Sequence, residues 1–419
     1  MRHRGFLLRT ATVIAAIALS LLLTAARAAA QTETVLHSFN GTDGISPVLG
    51  LIFDASGNLY GVASEGGANG DGAVFELTPS GGGWTETTLF SFKGSNGSVP
   101  VGGVVFDSTG HLYGTTKLGG SKNVGVVYKL TKSRAGVWSA KVLHDFGAVA
   151  GDGEYPTGSL VFDDGNLYGT TQGGGAYTNG TERSGGTVFE LAVTGTTFTE
   201  SVLHSFGNGT DGASPRCNLI FDSSGNLYGT TFSGGTDGSG TVFELSPSGS
   251  SWTEKVLYSF DPGNFVDGAA PAAGLIFDAS GNLYGTNTGG YLVYANSGGT
   301  VFELSKSGAT WTEKVLYSFS HYFYSPAYPY SGLVFSSAGD LYGTNLQGNG
   351  SFGGFNGGVF ELTPAGGGTW NESTTYNFDG PHGSEPAIGS LIFDSSGNLY
   401  GATQAGGANQ DGAVFKIVP

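Results

Sequence analysis

The sequence predicts an all-β fold: a seven-bladed β-propeller of four-stranded antiparallel blades, closed by an N-terminal strand that completes the last blade. Three observations predict it. A unit recurs seven times, marked by Leu-Tyr-Gly with its tyrosine at Tyr60, Tyr113, Tyr168, Tyr228, Tyr284, Tyr342 and Tyr400, at intervals of 53, 55, 60, 56, 58 and 58 residues. Each unit holds four strand-like runs bounded by turn residues. The last unit lacks its fourth run, and the chain carries a spare one, TETVLHSF, at 32–39.

The elements are justified in chain order. Arg2, Arg4 and Arg9 precede an apolar stretch over 10–26, and small residues follow to Ala30. That order predicts a secretory signal peptide over 1–30, cut after Ala28 or Ala30, ahead of a single domain over 31–419. Within each unit the first run is GLIFD (274–278), the second NLYGTT (226–231), the third GTVFELS (240–246) and the fourth WTEKVLYSF (252–260). All are rich in β-branched and aromatic residues. The first two are joined by D-x-S-G-N or a variant, as at 54–58 and 222–226, where Asp bonds ahead to the backbone and Gly takes positive φ.

Runs such as LIFD and VFEL are apolar on both sides, so a lone meander could not bury them. Packing seven sheets radially around an axis supplies the cover. The N-terminal run then pairs with GAVFKIV (412–418) and hides an open edge. An ion pair between Glu33 and Lys416 is expected across that junction.

Composition narrows the function. Four arginines lie in 1–30, so removing that segment takes the net charge from −16 to near −20. Nucleic acid and anionic lipid need a cationic surface and are disfavoured as partners. No membrane span is expected after the leader, and a monomer is. Cys217 is the sole cysteine, so no internal disulfide can form.

The unit LIFD-x-SGNLYGTT…GTVFEL…WTE-x-VL-x-SF over 33–419 resembles the GloVer repeat of exported choice-of-anchor tandem repeat proteins, and more loosely the NHL propeller repeat. The resemblance implies an extracellular location, no assigned biochemical activity, the first run nearest the axis and the fourth at the rim. It also implies a C-terminal sorting anchor in many members. This chain ends at Pro419 without an apolar tail, so a freely secreted or periplasmic protein is expected.

Repetition separates structure from function. One site does not need seven copies, so candidates are residues that occur in one blade only. His37, His144 and His204 read as packing, because Phe90, Tyr258, Tyr317 and Tyr376 hold the same position. The repeated Glu76, Glu190, Glu244, Glu303 and Glu361 read as solvent-facing strand residues. The Asp-x-Ser-x-Asn turns share spacing with part of a calcium loop but lack its distal Glu. No cofactor is expected, calcium being the one considered. No G-x-S-x-G, H-E-x-x-H or P-loop occurs.

Three loops of blades five and six depart from the pattern, at 289–299, 320–332 and 347–358. They bring Tyr291, Tyr294, Tyr322, Phe323, Tyr324, Tyr328, Tyr330, Phe352 and Phe355 to one sector of one face. Clustered aromatic rings with hydroxyls suit a carbohydrate or a protein segment. Arg216-Cys217 is a further single-blade departure near the channel mouth, compatible with an anion site or with local packing. The expectation is an exported, non-enzymatic binding or scaffold propeller. The alternatives are a polysaccharide lyase or hydrolase, which convergent acids beside His321 or His382 would favour, and a structural surface protein without a discrete ligand.

Overall fold

The computed structural model describes residues 32–178, 185–194, 197–261, 267–289, 298–308, 310–320, 327–348, 356–386 and 389–418. The expected leader lies outside them. Among the described residues there is no helix. Seven antiparallel sheets form the blades of a propeller, with one long inner strand in blade one and shorter inner segments in the others. Blade one comprises Ile45–Phe53, Leu59–Glu65, Ala73–Ser80 and Gly83–Ser91. In blade seven the outer strand is Thr32–Ser38, paired with Ala413–Val418 in the register Val35↔Phe415 and His37↔Val414. The chain's two ends therefore share one sheet.

Burial follows strand position. The second strand is buried on both faces, as in Leu112–Thr116, and reads as continuous small and apolar residues. The rim strand alternates, as in Ser251–Ser259, because only its inner face meets a neighbour.

Three contacts repeat at all seven seams. The phenylalanine ending each fourth strand stacks on the next blade's third-strand aromatic. The pairs run from Phe39–Phe75 through Phe92–Tyr128 to Phe378–Phe415, with centroids 4.9–5.2 Å apart. The Leu-Tyr-Gly tyrosine meets the next blade's first-strand phenylalanine, from Tyr60–Phe106 round to Tyr400–Phe53, at 4.9–5.4 Å. Each pair contributes about 0.5–1.5 kcal/mol beyond its buried area. The third contact is a backbone bond. Ser46, Val99, Tyr155, Ser214, Ala270, Tyr328 and Glu385 all precede a proline and hold φ between 53° and 61°. That costs each on the order of 1 kcal/mol. In return each amide donates to a carbonyl of the previous blade's loop at 2.6–3.0 Å, as Ser46 does to Asp411 and Ala270 to Ser239.

The expected Glu33–Lys416 pair does not form. Lys416 stands opposite Thr34, because Glu33 is in register with Ile417 on the other side of the pleat. Lys416 lies over the Tyr400 ring at 5.6 Å, and Glu33 accepts from the Tyr376 hydroxyl at 3.4 Å.

Candidate binding site at the channel mouth

The polar residues of the repeat are used up in structure. In the first turn, Asp54 accepts from the Ser56 and Asn58 amides, the Asn58 side chain and the Tyr60 hydroxyl at 2.8–3.3 Å. Burial alone would raise its pKa, but these donors together hold it below the usual carboxylate range. Asp222, Asp278 and Asp394 repeat the arrangement. The repeated glutamates are not solvent-facing, contrary to the expectation. Glu76, Glu190, Glu244 and Glu361 are buried or half-buried and accept from the tyrosine of the second strand at 2.6–3.1 Å. Lys129 replaces this bond with a cation over the Tyr113 ring at 5.0 Å.

Of the expected aromatic cluster, only Tyr328 and Tyr330 fall within the described residues. Tyr291, Tyr294, Tyr322, Phe323, Tyr324, Phe352 and Phe355 lie outside them, as does His321. Tyr328 is half-buried and takes the seam role just described, donating its amide to Gly298. Tyr330, two residues on, lines a cavity of about 180 Å³ at the channel mouth.

The cavity is built from equivalent positions of successive blades. One layer is the residue after the seam proline: Val48, Val101, Thr157, Arg216, Ala272 and Tyr330. A second layer follows the second strand's buried Thr pair, where Lys117 and Gln172 stand. The mouth opens on the loop side. There the loop after each second strand is tied to the loop entering the blade, as when Gly67 donates to Gly41 and Gly120 to Gly94. Two residues deeper the inner strands draw together, with the Gly103 amide on Ser159 Oγ at 2.9 Å and the Ser159 amide on Asn218 Oδ1 at 2.6 Å.

The lining is uneven in charge. Blade two contributes Lys117, blade three Thr157 and Gln172, and blade four Arg216. The Arg216 guanidinium lies over the Phe232 ring, its central carbon 4.0 Å from the centroid. Thr157 Oγ1 is buried with no hydrogen-bond partner. Blade six supplies the aromatic ring of Tyr330, and Val48, Val101 and Ala272 complete an apolar wall. Among the described residues, two cations and no acid line this cavity, in a chain with 33 acids and 17 bases. Cys217 beside Arg216 turns inward. It is buried, its Sγ accepts from the Thr230 amide at 3.1 Å, and burial raises its thiol to about 11. It is a core residue here.

Lys117, Gln172 and Thr157 escaped the sequence reading. Their signal was present: Lys117 shares its position with Ser64, Gln172, Phe232, Thr288, Leu346 and Gln404 and is the one cation among them.

Several solved structures align with the chain. The extracellular domain of a Bacteroides thetaiotaomicron protein provisionally named a one-component system aligns with a TM-score of 0.52 and 11% identity, over 92% of this chain and 40% of that one. A Bacteroides uniformis protein provisionally named a 6-phosphogluconolactonase aligns at 0.49 and 15%, over 86% of this chain and 89% of that one. A Dyadobacter fermentans protein of unknown function aligns at 0.46 and 9%, over 92% and 96%. At 11% identity the first of these likenesses speaks to fold alone. No curated protein matches the chain. The family model described as the Gloeobacter/Verrucomicrobia repeat matches three times, over residues 23–181, 175–354 and 292–419. These matches span the whole set of blades, and the chain belongs to the Gloeobacter/Verrucomicrobia repeat family.

Proposed function

We propose that this chain is an exported binding propeller that holds an acidic sugar unit in the cavity at its channel mouth, without catalysing a reaction. One observation carries the reading: Lys117 and Arg216 converge on a cavity whose opposite wall is Tyr330. A uronate presents a carboxylate, hydroxyls and an apolar ring face. The two cations suit the carboxylate, Thr157 and Gln172 suit hydroxyls, and the tyrosine ring suits the sugar's apolar face. The volume lies below the range for drug-sized ligands, so one terminal unit fits rather than a chain segment. Binding is favoured over hydrolysis because no acid is among the described lining residues, whereas glycoside cleavage works through a pair of them. The basic leader in 1–30 supports delivery to the periplasm or cell exterior.

Calorimetry with the mature protein against uronic acids, neutral sugars and inorganic phosphate tests this. Uronate is expected to bind, neutral sugars not. Arg216→Ala is expected to weaken binding about tenfold to a hundredfold, the worth of a hydrogen bond to a charged group. Equal binding of uronate by the Lys117→Ala/Arg216→Ala double variant would overturn the proposal.

A further inference from the structure

The seams of the propeller carry a second arrangement that repeats incompletely. In each fourth strand the residue two before the terminal phenylalanine is His37, Phe90, His144, His204, Tyr258, Tyr317 or Tyr376. A glutamate on the next blade's fourth strand faces six of them. Tyr376, for example, donates to Glu33 at 3.4 Å. The exception is instructive. Phe90 cannot bond to a carboxylate, and the next blade has Ala140 at the glutamate's position, packed in the same apolar cluster. The two positions change together, so the polar pair is a unit that can be absent without loss of the blade.

Where the position is histidine, a loop aspartate joins the pair. His37 Nε2 meets Asp43 at 3.1 Å, His144 Nε2 meets Asp152 at 3.2 Å, and His204 Nε2 meets Asp211 at 3.2 Å. At the first two seams the glutamate completes a triad. Ligating atoms of His37, Asp43 and Glu86, and of His144, Asp152 and Glu200, lie within 4.8 Å of one another. The second triad is the better built. The Asp152 side chain is fully buried and is held by the Gly153 amide at 2.7 Å and the Ala148 amide at 3.3 Å. Glu200 Oε1 is buried and has no hydrogen-bond partner. Two carboxylates thus share one imidazole in a space that excludes water from an acceptor oxygen. Burying such an oxygen without a donor is unfavourable unless a cation or a proton meets it.

We infer that the His144–Asp152–Glu200 seam, and in like manner the His37–Asp43–Glu86 seam, binds a divalent transition-metal ion of the zinc or manganese type. One imidazole and two carboxylates from three separate segments suit such an ion, with water in the remaining positions. Calcium takes oxygen ligands and would leave the imidazole unused. The Asp152 amide bonds orient the ligand from behind, as outer-shell donors do at metal sites. The ion would clamp blade two to blade three, and the latch strand to blade one. This inference is independent of the sugar reading, since the seams and the channel mouth share no residue.

The test uses zinc alone, titrated by calorimetry into the mature chain after chelator treatment. Two equivalents are expected from the two triads. His144→Phe with Glu200→Ala copies the Phe90/Ala140 seam that the protein already tolerates, so it is expected to fold, melt cooperatively and bind one equivalent fewer. Glu200→Gln keeps the shape of the side chain and is expected to weaken that equivalent by about tenfold or more. Zinc is also expected to raise the Tm of the parent more than that of the double variant. An unchanged stoichiometry in the well-folded double variant, or no uptake by the parent, would overturn the inference.

Discussion

At the scale of single residues, the glycine that opens each third strand shows how sequence becomes seam. Gly240 has φ +96°, and a Cβ placed there would collide with the Thr231 carbonyl and sit 2.8 Å from Cδ of Pro271 in the next blade. Gly225, in the turn of the same blade, has φ +83° but open space around it. Gly240→Ala is therefore expected to cost about 2–5 kcal/mol, combining left-handed strain with overpacking, and Gly225→Ala about 1–2 kcal/mol from strain alone. Urea unfolding of the two variants checks the difference, and equal costs would refute the seam role of Gly240. Sequence alone could mark both as repeated but could not rank them, because the neighbour that makes Gly240 indispensable is 31 residues away in another blade. Arg216 shows the converse. Its departure from Ala272 at the equivalent position was legible, while its place over Phe232 and across from Tyr330 required the ring to be closed.

At the scale of elements, the strands were legible and the side-chain partners less so. Four runs per unit and the order of the blades followed from apolar runs and turn residues, because strand burial depends on pattern. The repeated glutamates misled, because alternation along VFEL suggests an outward side chain, yet the neighbouring tyrosine hydroxyl draws it into a bond. The seam glutamates of the fourth strands have a consequence for pH. Burial raises Glu33 to about 6, Glu254 to about 7 and Glu313 to about 8, and lifts Glu372 above its usual range. Each would release its proton near 4.5 in the unfolded chain, so between there and about pH 8 the folded state holds more protons. Their contribution to stability is full below that range and is lost as pH rises through the folded values. Partial exposure screens each one. The turn aspartates act oppositely, since donors depress Asp54, Asp222, Asp278 and Asp394, whose contribution is lost only as pH falls below the usual carboxylate range. The Tm is expected to peak near pH 5 and to decline toward pH 8, as calorimetric scans would show. A Tm that climbs from pH 5 to 8 would contradict this reading.

At the scale of the whole molecule, every seam contact is made seven times only if the last blade is completed by the first strand. Phe39–Phe75, Tyr400–Phe53 and Trp84–Tyr400 are aromatic pairs that close the circle between blade seven and blade one. Deleting 32–39 removes the Phe39 pair and one edge ladder together, and is expected to lower the Tm by well over ten degrees or to abolish cooperative melting. The channel-mouth cavity depends on the same closure, since six blades contribute to its wall. The most direct measurement joins the two ends covalently. Thr34 and Lys416 are directly opposed in the closing ladder, a separation that a disulfide can span, and buried Cys217 does not compete. A Thr34→Cys/Lys416→Cys variant is expected to oxidise within the folded monomer and to melt at a higher temperature than its reduced form. Failure of that bond to form in the native protein, with the thiols freely reactive, would contradict the closed ring on which the seams and the binding cavity rest.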